Sequence, residues 1–481
     1  MTTVLAIDQG TSGTKAVVVD GEGGVLGIAE LPVRPTYLDG GGVEQNPHEM
    51  LDSVLNAGRK AVAQAGVPID IVSLANQGET VLAWNPETGE PLSNAIVWQD
   101  RRAESICAEL DGVKERIAAK TGLVVDPYFS APKMAWLRRN VTTAGVVTTS
   151  DSWMVHHLTG EFVGDVSTAS RSLLTDLDTG EWDQELLDDF GLSDERMPRI
   201  VACDEIVGET TAFGGRIPVG GLIVDQQAAL LAEDCLEAGE AKCTFGTGAF
   251  LLAHTGQSAQ RSTSGLAASV AWRARGELSY CFDGQVYTAA SAVHWIQDLG
   301  FIRTAAELDT VAAEDAAGVL CVPAFAGLAA PWWRPDARAA FTGMSLSTGP
   351  EHLVLAVLQG IAAQVAELGE LVATDLGQPM KRLRVDGGLT QSRVLMQAVA
   401  DLMQLPIDVY PSQHATALGA VAMGRAATEP ALALREAIVP WQPSESYEPK
   451  WSGAQAEEFR SRWDAAVSAS LVPASLAPAG Q

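Results

Sequence analysis

The chain has 481 residues, 47% of them hydrophobic, enough for two or three domains with ample cores. Its formal charge of −28 repels nucleic-acid phosphate and anionic membrane surfaces, so neither is expected as a partner. Six scattered cysteines (Cys107, Cys203, Cys235, Cys243, Cys281 and Cys321) with no Cys-x-x-Cys pair argue against a disulfide framework or zinc knuckle and point to a reducing cytoplasm.

Residues 1–35 read as strands, running on from the N-terminus without the basic flank of a signal peptide. No apolar run reaches the roughly 18 residues of a membrane span. His48 to Ala65 has helical spacing, with Met50, Leu51, Val54, Leu55, Ala61 and Val62 toward one side. Short strands are expected at Ile69 to Leu74, Val81 to Trp84 and Ala95 to Trp98, and a helix from Arg101 to Lys120. The strand Gly221 to Val224 leads into a helix through Leu231. The second half restarts with strands over Ala241–His254 and Ala267–Trp272. Helices are expected over Tyr287–Leu299, Leu353–Ala373 and Arg393–Leu402, with a strand at Leu383–Val385. Strand, Gly turn and strand followed by alternating helices and strands occurs twice. Two related α/β domains are therefore expected, 1–237 and 238–468, followed by an Ala/Pro/Ser-rich tail, 469–481, that frays.

Two runs carry the chemistry. Asp8-Gln9-Gly10-Thr11-Ser12-Gly13-Thr14-Lys15 and Phe245-Gly246-Thr247-Gly248-Ala249-Phe250 are both tight strand–turn–strand bends. Small residues there leave backbone N–H groups and hydroxyls free to hold phosphate oxygens. Two such bends suggest half-sites closing on one nucleotide, held by local donors and a metal ion rather than by the overall field. Asp386-Gly387-Gly388 adds a third turn, after a strand and before a helix, suited to the nucleoside side. Asp8 and Asp225 each end an apolar strand. A carboxylate there can hold a hydrated magnesium ion or accept a proton, the two functions that phosphoryl transfer to a hydroxyl requires; it equally reads as a turn or helix cap.

The chain resembles the FGGY family of carbohydrate kinases over roughly residues 3–465, and within it the glycerol kinases. One signature runs from Tyr128-Phe129-Ser130 to Arg138-Arg139-Asn140; the other runs from Ala339 through Phe341, Gly343-Met344 and His352-Leu353 to Ala356-Val357-Leu358-Gln359. Asn94 to Arg102, Asp126 to Ser130, Asp225 to Leu230 and Ala330 to Arg338 carry the likeness to glycerol kinases. The resemblance implies an actin-like fold of two ribonuclease-H-like domains with the active site in the cleft between them, and ATP and Mg²⁺ as co-reactants. It makes Asp225 the general base and, with Asp8, a group at the metal. It places Thr11, Ser12, Gly13 and Lys15 at the first phosphate loop, Gly246 and Thr247 at the second, and Gly387, Gly388 and Ser392 on the adenosine side. Gly78, Glu79, Trp98, Tyr128, Asp225, Gln226 and Phe250 fall at the substrate pocket. A homodimer or homotetramer is the expected assembly.

One departure bears on the substrate. Glycerol kinases carry Arg where this chain has Gly78, in Gln77-Gly78-Glu79-Thr80. Gly removes a forked donor and leaves volume, so a polyol longer than glycerol is expected, tetritols first. Glycerol itself is the alternative, with another side chain filling the gap. Lys15 and Ser392 stand where Arg and Asn are usual. A ketose kinase is disfavoured, since such enzymes carry Met-His at Gly78-Glu79. A non-enzymatic actin-like ATPase sensor would not need the polyol-facing set.

Overall fold

The computed structural model describes residues 2–471. The first lobe is organised by simple alternation. In the strand Val4–Gln9, Val4 and Ala6 face one core and Leu5 and Ile7 another; in Gly13–Val19, Val17 and Val19 oppose Ala16 and Val18 in the same way. Both faces are therefore covered. The helix Pro47–Ala65, capped by the Asn46 side chain, closes one face with Met50, Val54, Ala57 and Ala61. The sheet order is Ile206–Thr210, Ile217–Val224, Ile71–Asn76, Val4–Gln9, Gly13–Val19 and Val25–Pro32. Val4–Gln9 pairs antiparallel with Gly13–Val19, which pairs antiparallel with Val25–Pro32. On its other side it pairs parallel with Ile71–Asn76, which pairs parallel with Ile217–Val224.

The second lobe repeats this plan. Ala241–Phe245 pairs antiparallel with Ala249–Gly256, which pairs antiparallel with Glu277–Val286. Its other neighbour is the parallel strand Leu383–Asp386, followed by parallel Ile407–Val409. Ala267–Ala274 and Glu445–Tyr447 complete a seven-stranded sheet. Each lobe thus opens with a hairpin whose turn is one of the two Gly bends, and continues into parallel strands whose C-terminal ends face the same crevice.

The helices Asp225–Ala232 and Ala415–Thr428 pack on each other where the lobes join. The first follows a first-lobe strand yet packs on Ala241–Phe245 and Ala249–Gly256; the second lies on Val4–Gln9, Ile71–Asn76 and Ile217–Val224. Their buried alanines belong to one core that runs through both lobes. The crossing is close because Gly419 lies against the backbone of Ala228. A smaller five-stranded sheet (Thr36–Leu38, Gly42–Gln45, Ala95–Ile96, Val81–Trp84, Val146–Thr149) flanks the first lobe.

Three expectations change in detail. The helix expected from Arg101 to Lys120 is two, Glu104–Glu109 and Lys114–Thr121. Gly112 stands between them, and a β-carbon added there would meet nothing within 4 Å, so no packing offsets its conformational entropy in a helix. The helix expected from Tyr287 begins at Ala290, since the strand Glu277–Val286 runs up to Tyr287. The last helix, Gly453–Ser470, continues two residues into the stretch expected to fray, and residues 472–481 of that stretch lie outside those described. The helix Pro350–Leu376 is long and apolar enough to cross a membrane, but most of it is buried in the second lobe's core.

Candidate active site

Thr11, Ser12, Gly78, Glu79, Trp98, Tyr128, Asp225, Gln226, Gly246, Thr247 and Phe250 line a single cavity of about 260 Å³. The two Gly bends, one from each lobe, thus open onto the same space. Each bend is closed by its own backbone, with Gly10 N–H donating to Gly13 O and Gly246 N–H to Gly248 O, both at 2.9 Å. The first is also pinned from below. Gln45 Nε2 donates to Thr11 O at 2.6 Å, Gln77 Nε2 donates to Gln45 Oε1 at 2.8 Å, and Thr11 Oγ1 donates to Gln77 Oε1 at 3.0 Å. Trp98 Nε1 donates to the same Thr11 hydroxyl at 2.8 Å. Trp98 therefore offers the cavity its ring and not its N–H.

Asp225 is the first residue of its helix, at the C-terminal end of Ile217–Val224. The Gln226 N–H donates to its Oδ1 at 2.7 Å. Burial raises the Asp225 carboxyl to about 6, with the nearby charge of Asp8 adding to the rise. Asp8 is also raised to about 6 by burial, against the pull of Lys15, its cross-strand partner. Two half-buried carboxylates raised in this way would gain from a nearby divalent cation. Among the described residues no cluster of three or more His, Cys, Asp or Glu could enclose such an ion. The donor set therefore suits an ion that keeps water and substrate phosphate in its shell.

The aromatic wall comes from both lobes. Trp98 meets Tyr128 edge-on with centroids 5.7 Å apart and Phe250, from the second lobe, at 6.0 Å. Lys133 fixes Tyr128 from behind. Its fully buried ammonium donates to the carbonyls of Pro127, Tyr128 and Phe129, and burial lowers its pKa to about 7. A second cavity of about 330 Å³ adjoins the first and shares Trp98, Gln99 and Tyr128 with it.

Glu79 sits in a three-residue turn closed by Thr80 N–H on Gly78 O at 2.7 Å, with φ of 58°. That left-handed conformation is unfavourable for a residue with a side chain. It is held by an ion pair, since Arg171 Nε donates to Glu79 Oε1. Arg171 Nη2 in turn lies 2.8 Å from Asp283 Oδ2 on Glu277–Val286. This buried triad joins the lobes at the cavity wall, which Glu79 and Arg171 line. Burial nonetheless raises Glu79 against the pull of Arg171. A second link between lobes is Lys242, whose Nζ donates to Gln226 Oε1 at 2.6 Å and to Thr244 Oγ1 at 2.7 Å.

Arg171, Asp283 and Lys242 were not singled out by sequence reading. The signal available for the last two was a charged residue inside an otherwise apolar strand (Ala-Lys-Cys-Thr-Phe, Tyr-Cys-Phe-Asp-Gly). Other expected residues stand around the cavity without lining it. Gly13 and Lys15 continue the first bend, and Lys15 Nζ reaches Gln413 O at 3.5 Å. Gly387 has φ of 94°, and a β-carbon there would come 2.4 Å from Phe245 O, so the third turn presses on the base of the second bend. Gly388 has open space around it. The Ser392 hydroxyl is engaged, donating to Asp309 Oδ1 at 2.7 Å and capping the helix Arg393–Met403.

Two lobes of repeated topology, with facing Gly bends and a carboxylate at a strand end between them, define a nucleotide-dependent phosphotransferase of the actin-like ATPase fold. The chain matches the FGGY family of carbohydrate kinases, its N-terminal domain over residues 3–232 and its C-terminal domain over 241–428. It is 40% identical to a glycerol kinase of Alkalilimnicola ehrlichii over 97% of this chain and 98% of that one. It is 39% identical to a glycerol kinase of an Acidovorax species, over 98% of this chain and the whole of that one. Among solved structures, Plasmodium falciparum glycerol kinase with ADP aligns with a TM-score of 0.90 at 31% identity, over 98% of this chain and 99% of that one. A xylulose kinase from Lactobacillus acidophilus aligns at 0.89 with 20% identity, over 98% of each chain, a likeness of fold alone. The chain belongs to the FGGY family of carbohydrate kinases, and is an ATP-dependent kinase acting on an alcohol group of a sugar or polyol.

Proposed function

We propose that the enzyme phosphorylates a terminal hydroxyl of a neutral polyol longer than glycerol, a tetritol first. The observation that carries this reading is Gly78 in the cavity wall: its nearest neighbours beyond Val224 Cγ2, at 3.0 Å from an added β-carbon, are Arg171 Cδ and Nε at 4.0 Å. A neutral substrate follows from the charges. Glu79 and Asp225 line the cavity with one cation, Arg171, whose charge Glu79 and Asp283 already engage, and Asp8 lies close to Asp225; a sugar acid would add another negative charge beside them.

In the reaction, the terminal hydroxyl oxygen forms a bond to the γ-phosphorus while the bond from that phosphorus to the bridging oxygen breaks and ADP leaves. The hydroxyl proton passes to the Asp225 carboxylate. Backbone N–H groups and hydroxyls of the two bends, with Thr11, Ser12, Gly246 and Thr247, orient the phosphates. Asp8 and Asp225 would hold Mg²⁺, which supplies charge neutralisation at the phosphates. Trp98, Tyr128 and Phe250 cover the carbon chain, and Glu79 and Gln226 take hydroxyls. Gly387 and Gly388 border the adenosine side. The six free cysteines, five of them buried, suit work in a reducing cytoplasm.

A coupled ADP-release screen over glycerol, tetritols, pentitols and ketoses tests the reading. The expected result is a tetritol with the highest kcat/KM; glycerol in first place would refute it. Glycerol is the second reading, favoured by the names of the 40% identical relatives.

A further inference from the structure

We infer that Arg171 is the residue that selects chain length, by donating from Nη1 to the hydroxyl on the carbon beyond a three-carbon unit. This rests on the polyol reading above. Arg171 follows the short helix Val166–Ser170, far in sequence from Gly78, yet both line the same cavity. Two of its three guanidinium nitrogens are engaged, Nε by Glu79 and Nη2 by Asp283. The third, Nη1, has no partner among the described residues. Nη1 also keeps some accessible surface, and the Arg171 side chain lines the cavity.

Rigidity makes this nitrogen selective. The guanidinium lies 5.8 Å from the Tyr128 ring and 5.7 Å from the Phe129 ring, is held at two corners by carboxylates and is 4% exposed. It cannot swing to follow a shorter substrate. Gly78 gives it room: a long side chain at position 78 would start 4.0 Å from Arg171 Nε and occupy the space before Nη1. Glu79, the carboxylate of the triad that lines the cavity, stands beside the guanidinium. A hydroxyl both accepts and donates, so one added hydroxyl can accept from Nη1 and donate to a carboxylate of the triad. A carboxylate or phosphate on the substrate could only accept, and would face the triad's excess negative charge.

The test compares erythritol and threitol with 1,2,3-butanetriol, which lacks the fourth hydroxyl, in the unmodified enzyme and in Arg171→Lys. Lysine keeps a cation for Glu79 and Asp283 but has no Nη1. In the unmodified enzyme the missing hydroxyl should lower kcat/KM by about 10- to 100-fold, mostly through KM, as for a hydrogen bond to a charged donor. In Arg171→Lys that ratio should fall to about 3 or less. Equal use of tetritol and deoxy analogue by the unmodified enzyme overturns the assignment, and this comparison decides alone if the variant does not fold. A ratio unchanged in a folded Arg171→Lys also overturns it. If no polyol releases ADP, the polyol reading itself falls, a result distinct from polyols used without regard to the fourth hydroxyl.

Discussion

Replacing Gly419 by Ala probes how the base is aimed. The substitution puts a methyl group between the two helices at the lobe junction, 1.9 Å from Ala228 O, 2.4 Å from its carbonyl carbon and 2.7 Å from its Cα. These are backbone atoms and cannot turn aside. Since β-carbons keep beyond 3.0 Å of such neighbours, the helices must part by roughly 1 Å. Helix propensity favours Ala over Gly by about 1 kcal/mol, whereas overpacking a tight contact costs about 1–3 kcal/mol or more. With a backbone clash this deep, the packing cost prevails and the melting temperature falls. The functional effect follows from position. Ala228 is three residues from Asp225 on the same helix, so a shift of about 1 Å moves the carboxylate out of line with the attacking hydroxyl and lowers kcat by about 100-fold. Melting curves and ADP-release kinetics, with Gly112→Ala as a control at a site with open space, measure both. A Gly419→Ala enzyme with unchanged or raised melting temperature and unchanged kcat would refute the argument.

Asp225→Asn keeps the shape of the side chain but cannot accept the proton; kcat should drop by about 10²–10⁴-fold while ADP affinity, measured by calorimetry, stays within about threefold. Glu233 is fully buried at the end of the helix Asp225–Ala232, both its oxygens unpartnered, and burial with the nearby Asp386 charge lifts its pKa well above the carboxylate range. The folded state therefore holds this proton more tightly than the unfolded chain. The associated stability is complete below the ordinary Glu pKa and is lost as pH rises through the raised one. Glu233→Gln should accordingly melt higher than the unmodified enzyme at pH 8.5, with the gap closing toward pH 4.5; a gap independent of pH speaks against a protonated Glu233. Lys133→Met orphans three carbonyls behind Tyr128, so chemical denaturation should show a loss of about 2–5 kcal/mol, and KM for the polyol should rise more than kcat falls. A variant as stable as the parent would contradict the bonding described.

Much of the plan was legible because it depends on local rules. The two Gly bends follow apolar strands and cannot continue them, and Asp8 and Asp225 stand where apolar runs stop. Burial of strands on both faces shows directly as unbroken runs such as Val17-Val18-Val19. What escaped were residues whose partners lie far away in the chain. Arg171, in Ala169-Ser170-Arg171-Ser172, looks like any exposed turn; only the meeting of Glu79 and Asp283, 92 residues before it and in the other lobe, buries it. The engagement of Ser392 by Asp309 is of the same kind, since nothing in either segment announces the other. Gly112 is hard to read as a break because charged residues on both sides continue a helical pattern that the glycine interrupts.

The tie between Arg171 and Asp283 would couple any movement of the lobes to hydration. Any parting of the crevice at that point takes Asp283 from its cation, and the cost in a dry interior would be prohibitive. Were the halves to separate there, water would enter with the motion and would have to leave before the carboxylate regained its counter-ion. Parting and wetting would then be one event, and a shut crevice the condition in which ATP is shielded from hydrolysis.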